Sequence, residues 1–344
     1  MEFPTSKGRC SQNLKAARNP SSRKAQLLIA AVVISSLIIY SLDAIMHLPR
    51  LLVLLSPLSA HAVRIIQSND DGWAELYVRS FHDALVASGH DVVLSAPAEN
   101  RSGSSSLDVE PRPRTAACQY ASCPAASGQP LGRNATSPRL HWVNSFPVTA
   151  MRYGIDTLAP PFWGGAGPDL AVSGPNVGSN LFLQVPFSGT VGTAVYAVAA
   201  AGIPAIAFSG ASDGTLPWDT VPVPARSAVY AELAARLTNA VIAGGKPYLP
   251  PNVWLNVNFP EITPQCGSAG KFKWVLSRIN PGLFSPADVL HCGGSRLPTE
   301  TDVMKAGGCY VSVSVGDATD KSTAPAARQA DVLKRLGSLL SCLP

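Results

Sequence analysis

Two adjacent carboxylates, Asp70 and Asp71, stand between Asn69 and Gly72 directly behind a short apolar run, Val63–Gln67. Val63, Ile65 and Ile66 are β-formers, so the pair sits where a strand breaks into a turn. Negative charge crowded into so tight a loop is costly unless something positive neutralises it, and a hard divalent cation is the usual solution. An Asx-type surface turn is the ordinary alternative for four such residues taken alone.

Three further polar segments favour the cation. Ala96-Pro97-Ala98-Glu99-Asn100-Arg101-Ser102-Gly103-Ser104-Ser105-Ser106 follows a second strand, and Ser173-Gly174-Pro175-Asn176-Val177-Gly178-Ser179-Asn180 follows a strand ending near Val172. Ser188-Gly189-Thr190 opens a helix at Val191, where free backbone N–H groups and the helix dipole favour an anion such as phosphate. A Ser-Gly-Thr at a helix start also serves as an ordinary N-cap. Two carboxylates, a hydroxyl, an amide and an anion-binding helix start could together hold a divalent cation and a phosphate.

The elements that must position these groups alternate along the chain. Val63–Gln67, His90–Ala96, Asp169–Ser173, Ile203–Ser209 and Val253–Asn258 read as strands. Between and after them, Trp73–Ser88, Val191–Ala201 and Pro222–Ala243 read as helices, and Pro325–Leu340 as a terminal one. The alternation predicts an α/β fold, a Rossmann-like, mostly parallel sheet with helices on both faces. In such sheets ligands gather outside the carboxyl ends of the strands, where the polar loops lie. Residues 111–138, rich in Pro, Ser, Ala and Gly, read as a loop insertion, and 266–317 as a smaller C-terminal β-rich lobe. The organisation expected is a leader over 1–62, a main domain over 63–320 and a C-terminal helix within 321–344.

The four motifs, in this order, resemble those of SurE, the survival-protein family of metal-dependent 5'-nucleotidases and acid phosphatases. Ala96–Ser106 and Val172–Asn180 look most like its secreted fungal branch. Gly307-Gly308-Cys309-Tyr310-Val311-Ser312 resembles the family's C-terminal strand motif. The resemblance implies a phosphomonoesterase acting on nucleoside monophosphates or related small phosphate esters. It makes Asp70, Asp71, Ser102 and Asn176 the metal ligands, with Asp70 and Asp71 catalytic and Asp71 also a candidate proton shuttle. Ser188, Gly189 and Thr190 become the phosphate cradle, with Asn69 and Asn180 lining the site. Ser104, Ser105 and Ser106 compete with Ser102. Oxygen donors of this kind favour Mg²⁺, Mn²⁺ or Ca²⁺ over zinc. Bacterial members usually carry a His directly before Ser-Gly-Thr, whereas this chain has Phe187. That departure keeps open a secreted metal-binding protein on the same fold without turnover. A homodimer is what the family implies.

Composition narrows the classes further. The chain has 344 residues and a formal charge of +5, but residues 1–25 hold six basic residues and one acidic one. The remainder is balanced, so no broad electrostatic footprint for a nucleic-acid polymer exists. Asp-Asp-Gly in place of a Gly-rich fingerprint argues against a dinucleotide oxidoreductase. His82, His90, His141 and His291 form no close ligand pair, and the absence of C-x-x-C argues against structural zinc.

Ala25–Leu42 is uncharged and just long enough to span a membrane, which would give a type II anchor. Met46–Ala62 reads instead as a signal peptide ending in Ala60-His61-Ala62, with residues 1–45 an upstream extension. Either route sends the body into the secretory lumen or outside the cell, and membrane contact follows only from the uncleaved anchor. Six cysteines after the leader fit disulfides. Proximity suggests Cys118–Cys123 and Cys292–Cys309. Sequons at Asn100 and Asn134 could carry glycans on that route, Asn134 being the better acceptor.

Overall fold

The computed structural model describes residues 62–124 and 128–344. The anchor and signal-peptide readings, up to His61, lie outside the described residues. Nine strands form one sheet: β1 (Arg64–Ser68), β2 (Asp91–Pro97), β3 (Leu131–Arg133), β4 (Leu140–Val143), β5 (Leu170–Val177), β6 (Ala205–Gly210), β7 (Val253–Asn258), β8 (Lys273–Ser277) and β9 (Tyr310–Asp317). Their spatial order is β3-β4-β2-β1-β5-β6-β7-β9-β8. The six central strands, β4 to β7, run parallel. β3 is antiparallel to β4, and β9 is antiparallel to β7 with β8 parallel to β9.

Helices α1 (Leu76–Ala87), α2 (Pro147–Tyr153), α3 (Gly189–Ala199), α4 (Ala225–Ala243), α5 (Glu300–Lys305) and α6 (Ala326–Leu336) complete the domain. Among the described residues, no helix is long and apolar enough to cross a membrane. Alternation along the strands sends side chains to two cores. Ile65, Val172, Ile206, Phe208 and Leu255 pack with Phe81 and Leu85 of α1 and Tyr230 and Leu233 of α4. Ile66, Ala171, Ala205, Ala207 and Trp254 pack with Met151 of α2 and Val191, Ala194 and Val198 of α3. Apolar burial on both faces explains why the parallel strands are so uniformly hydrophobic. The mostly parallel sheet with helices on both faces is the fold expected. The C-terminal lobe holds β8, β9 and α5, and its strands continue the main sheet past β7.

Three sequence expectations change. Ser173-Gly174-Pro175-Asn176 is not a loop but lies within β5, which runs to Val177 with a register shift between Ser173 and Asn176. Gly174 makes this path available: its φ is +98°, and a Cβ there would fall on the carbonyl oxygen of Phe208. The insertion is not wholly irregular, since it carries the edge strand β3 and the Cys118–Cys123 bridge. The suggested Cys292–Cys309 pair does not form. Cys309, whose carbonyl accepts from Lys273 N–H, lies beside the chain entering β8 and pairs with Cys266, while Cys292 pairs with Cys342. Spatial return of the C-terminus to β8 outweighs closeness in sequence.

Candidate active site

The loop after β1 holds its two carboxylates inward: Asp70 and Asp71 are each 2% exposed. Asn69 shapes the turn, with Oδ1 accepting the Asp70 N–H (2.9 Å) and Nδ2 donating to Asp71 Oδ2 (3.2 Å). Asp71 Oδ2 also accepts from Val177 N–H at 2.7 Å, which ties the turn to the end of β5. Asn100 donates from Nδ2 to Asp71 Oδ1 at 3.3 Å, so the loop after β2 reaches the same carboxylate. That loop is pinned again where Arg101 N–H donates to the Asp70 carbonyl at 2.7 Å.

Helix α3 begins against Asp70. Gly189 N–H donates to Asp70 Oδ2 (3.1 Å), and the Thr190 hydroxyl donates to Oδ1 (2.6 Å). The helix start does hold an anion, as its dipole and orphan N–H groups dictate, and that anion is the Asp70 carboxylate. Ser188 caps the helix, its Oγ accepting from Val191 N–H at 3.1 Å. Asn176, 9% exposed, donates from Nδ2 to the Gly178 carbonyl (2.6 Å) and turns Oδ1 to within 3.3 Å of Thr190 Oγ1.

Asn69, Asp70, Asp71, Asn176, Gly189 and Thr190 therefore meet in one cluster. Ser102 is exposed, directly after the pinned Arg101, with its N–H on Asn100 Oδ1 (2.9 Å). Ser104 is the buried serine of the loop: a Cβ added to Gly189 would lie 2.8 Å from both Ser104 Oγ and Asp70 Cβ. Asn180 is bonded elsewhere, with its amide on Ser209 Oγ at 2.8 Å. Asn100 joins the cluster beyond the residues assigned to it from sequence, and Ser104, named there only as a competitor of Ser102, lies against it. The sequence signal for Asn100 is position in a polar loop after a strand.

No Lys, Arg or His forms an ion pair with Asp70 or Asp71 among the described residues. Burial pushes the Asp70 carboxyl up, against the opposing bonds from Thr190 and Gly189. Burial, and then the neighbouring charge of Asp70, push Asp71 well above the ordinary carboxylate range. Two buried carboxylates with amide and hydroxyl oxygens around them and no protein cation form a donor set suited to a hard divalent ion.

The family model described as Survival protein SurE matches residues 65–280. The chain belongs to the SurE family. It is 32% identical over 302 residues to an acid phosphatase of Yarrowia lipolytica, covering 79% of this chain and 84% of that protein. It is 33% identical over 201 residues to the 5'-nucleotidase SurE of Geobacter metallireducens, covering 58% of this chain and 66% of that one. The crystal structure of SurE from Aquifex aeolicus shares the fold at a TM-score of 0.50 and 21% identity, over 74% of this chain and 93% of that one. The similarity to a yeast acid phosphatase over most of its length accords with the fungal-type branch.

Proposed function

We infer that this SurE-family protein hydrolyses phosphate monoesters with the help of a divalent cation. The observation that carries this reading is the pair of buried carboxylates, Asp70 and Asp71, without a cationic partner at the start of α3. Relatives named acid phosphatase and 5'-nucleotidase support it, and nucleoside monophosphates are the first substrates to try.

Asp70, Asp71, Asn176 and Ser102 would hold the ion, with Mg²⁺, Mn²⁺ or Ca²⁺ matching their oxygen donors. When bound, such an ion supplies Lewis acidity toward a phosphoryl oxygen and lowers the pKa of water. The protein's groups do the rest. Gly189, Thr190 and Asn69 fix the two carboxylates in place before substrate arrives. The Ser188 hydroxyl and the loop from Asn100 to Ser104 offer donors to the non-reacting phosphate oxygens. Asp71 Oδ1, bonded to Asn100 alone among the described residues, is the carboxylate oxygen best placed to hold a proton in transit. The test is hydrolysis of a chromogenic phosphate ester with and without chelator, beside Asp70→Ala. Activity indifferent to both would overturn the reading.

One observation favours a second reading, a metal-binding protein without turnover: Phe187, 67% exposed, places no acid or base before Ser188. Tight metal binding with no hydrolysis across a panel of esters would select it.

We also infer a secretory route. The three disulfides support an oxidising compartment. Asn134 is the favoured glycan acceptor, because its hydrogen bonds run through Oδ1, which accepts from Thr136 and Ser137. Asn100 spends its Nδ2 on Asp71. A homodimer would draw on the exposed Leu283, Phe284 and Leu290 of the C-terminal lobe.

A further inference from the structure

We propose that Glu300, on α5 and outside every motif described above, is a positioning residue that fixes the connection between Asn176 and Ser188 from beneath. The proposal rests on the phosphomonoesterase reading for its kinetic consequence, and on geometry alone for its structural one.

Glu300 is fully buried and takes part in no ion pair among the described residues. Its Oε1 accepts from Asn256 Nδ2 on β7 at 2.6 Å, and its Oε2 faces the Phe182 N–H at 3.4 Å. Ser314 on β9 faces the same carboxyl. Phe182 needs such a hold. Its φ is +41°, a left-handed conformation that a side chain other than glycine adopts only where its surroundings impose it.

The same polar group grips Asn180. Asn256 Nδ2 also donates to the Asn180 carbonyl at 2.9 Å, and Asn258 Nδ2 does so at 3.2 Å. Asn258 Oδ1 in turn accepts the Asn180 N–H at 2.9 Å. Residues 180 and 182 are thus both fastened to the sheet, one through β7 directly and one through Glu300. Beyond them one apolar side chain, Val185, reaches the core, while Leu183 and Phe187 are 69% and 67% exposed. Its far end is held by Ser105, whose N–H donates to the Phe187 carbonyl at 3.0 Å. Six residues after Phe182 comes Ser188, the cap of the helix that grips Asp70. The placement of Ser188–Thr190 relative to Asn176 therefore depends on a carboxyl that touches none of them.

The groups facing Glu300 are Asn256, Ser314 and the Phe182 N–H, none of them titratable, and no charged side chain perturbs it. Burial pushes it up to about 8, so it stays uncharged through the acidic and neutral range. At higher pH a charge must appear inside this dry network.

The test compares the wild-type chain with Glu300→Gln and Glu300→Leu by two measurements. One is amide hydrogen exchange; the other is kcat and KM for p-nitrophenyl phosphate with Mg²⁺ between pH 5 and pH 9. Glu300→Leu is expected to speed exchange across residues 181–190 and to raise KM by about tenfold or more, with β1 and β6 unchanged. Glu300→Gln, which stays neutral and keeps an acceptor, is expected to match wild type below pH 7 and to lack the wild-type decline above pH 8. Unchanged exchange over 181–190 in Glu300→Leu would overturn the proposal, as would faster exchange throughout the domain. So would an alkaline decline in Glu300→Gln equal to that of wild type, a result readable even if the leucine variant fails to fold. A wild type inert toward every ester would instead sink the enzymatic reading, and the exchange measurement would still decide the role of Glu300.

Discussion

The Gly189 N–H donates to Asp70 Oδ2 at 3.1 Å across 119 residues of chain, so the first turn of α3 and the loop after β1 form one unit. The side chain that glycine lacks would stand 2.8 Å from Asp70 Cβ and from Ser104 Oγ. Gly189→Ala should therefore push the helix start off the carboxylate. Loss of kcat/KM by about 10²-fold is expected, with an unfolding penalty of about 1–3 kcal/mol. Steady-state kinetics beside urea unfolding measure the two.

Metal removal should act through the same carboxylates. Chelation is expected to abolish ester hydrolysis, and Asp70→Asn to lower it by about 10²–10³-fold even at saturating Mg²⁺. The ion should also stabilise the wild-type fold, by about 2.7 kcal/mol when present at a hundredfold excess over its Kd. Asp71→Asn should lose most of that gain while unfolding later than wild type in chelator at pH 8. Its carboxyl is raised in the fold, so whatever stability it lends is complete at acid pH and lost as pH rises. Thermal melts with and without Mg²⁺ check both variants.

Glu75 gives a pH signature that is read in the presence of chelator. It caps α1 by accepting from Tyr77 N–H at 2.6 Å, and burial raises it to about 7. Since the folded value exceeds the unfolded one, stability is full below about pH 4.5 and declines until the pH passes about 7. Glu75→Gln, which retains an acceptor for the cap, should unfold like wild type at pH 4. At pH 8 it should be more stable by up to about 3 kcal/mol. Urea midpoints at the two pH values are the measurement.

Gly174→Ala should destabilise the protein by about 1–3 kcal/mol, because it puts a side chain on a residue at φ +98° against the Phe208 carbonyl. Displacing this stretch of β5 shifts Asn176 and the Val177 N–H that holds Asp71. Metal affinity measured by titration calorimetry should fall with stability, whereas a defect confined to stability would contradict this account.

Expressed through a glycosylating secretory host, the protein should carry its N-glycan on Asn134. Asn134→Gln is expected to remove the mass shift on enzymatic deglycosylation. Asn100→Gln should leave it intact while weakening catalysis through the lost bond to Asp71.

Much of this site was legible in the sequence because its parts are local. Asp70 and Asp71 follow a strand of β-branched residues, and Ser188 stands where a helix must start, so pattern and chemistry agree within a few residues. Asn176 was legible as a candidate ligand but was misplaced in a loop, because nothing in Ser-Gly-Pro-Asn announces that the strand resumes after a register shift. Glu300 was illegible. Thr299 and Asp302 mark a capped helix start, but a glutamate beside them ordinarily faces water, and only the packing of α5 on β9 and β8, with Asn256 of β7 reaching the carboxyl, buries it. Asn256 and Asn258 did leave a trace, alternating with Leu255 and Val257 in a buried strand. The disulfide partners of Cys266 and Cys292 depended on where β9 and the C-terminus return, which spacing cannot reveal.

Both outer strands of the sheet are blunted, and this bears on how the chain survives its own production. β3 is only three residues long. At the other end, Leu340 bridges to Trp274 and Ser341 N–H donates to the Trp274 carbonyl at 2.7 Å, with Cys342 bolted to Cys292 next door. A bare β8 would offer a template for joining neighbouring molecules edge to edge. The Cys292–Cys342 disulfide thus acts as a safeguard against clumping: it holds the chain end over a flank that would otherwise be sticky.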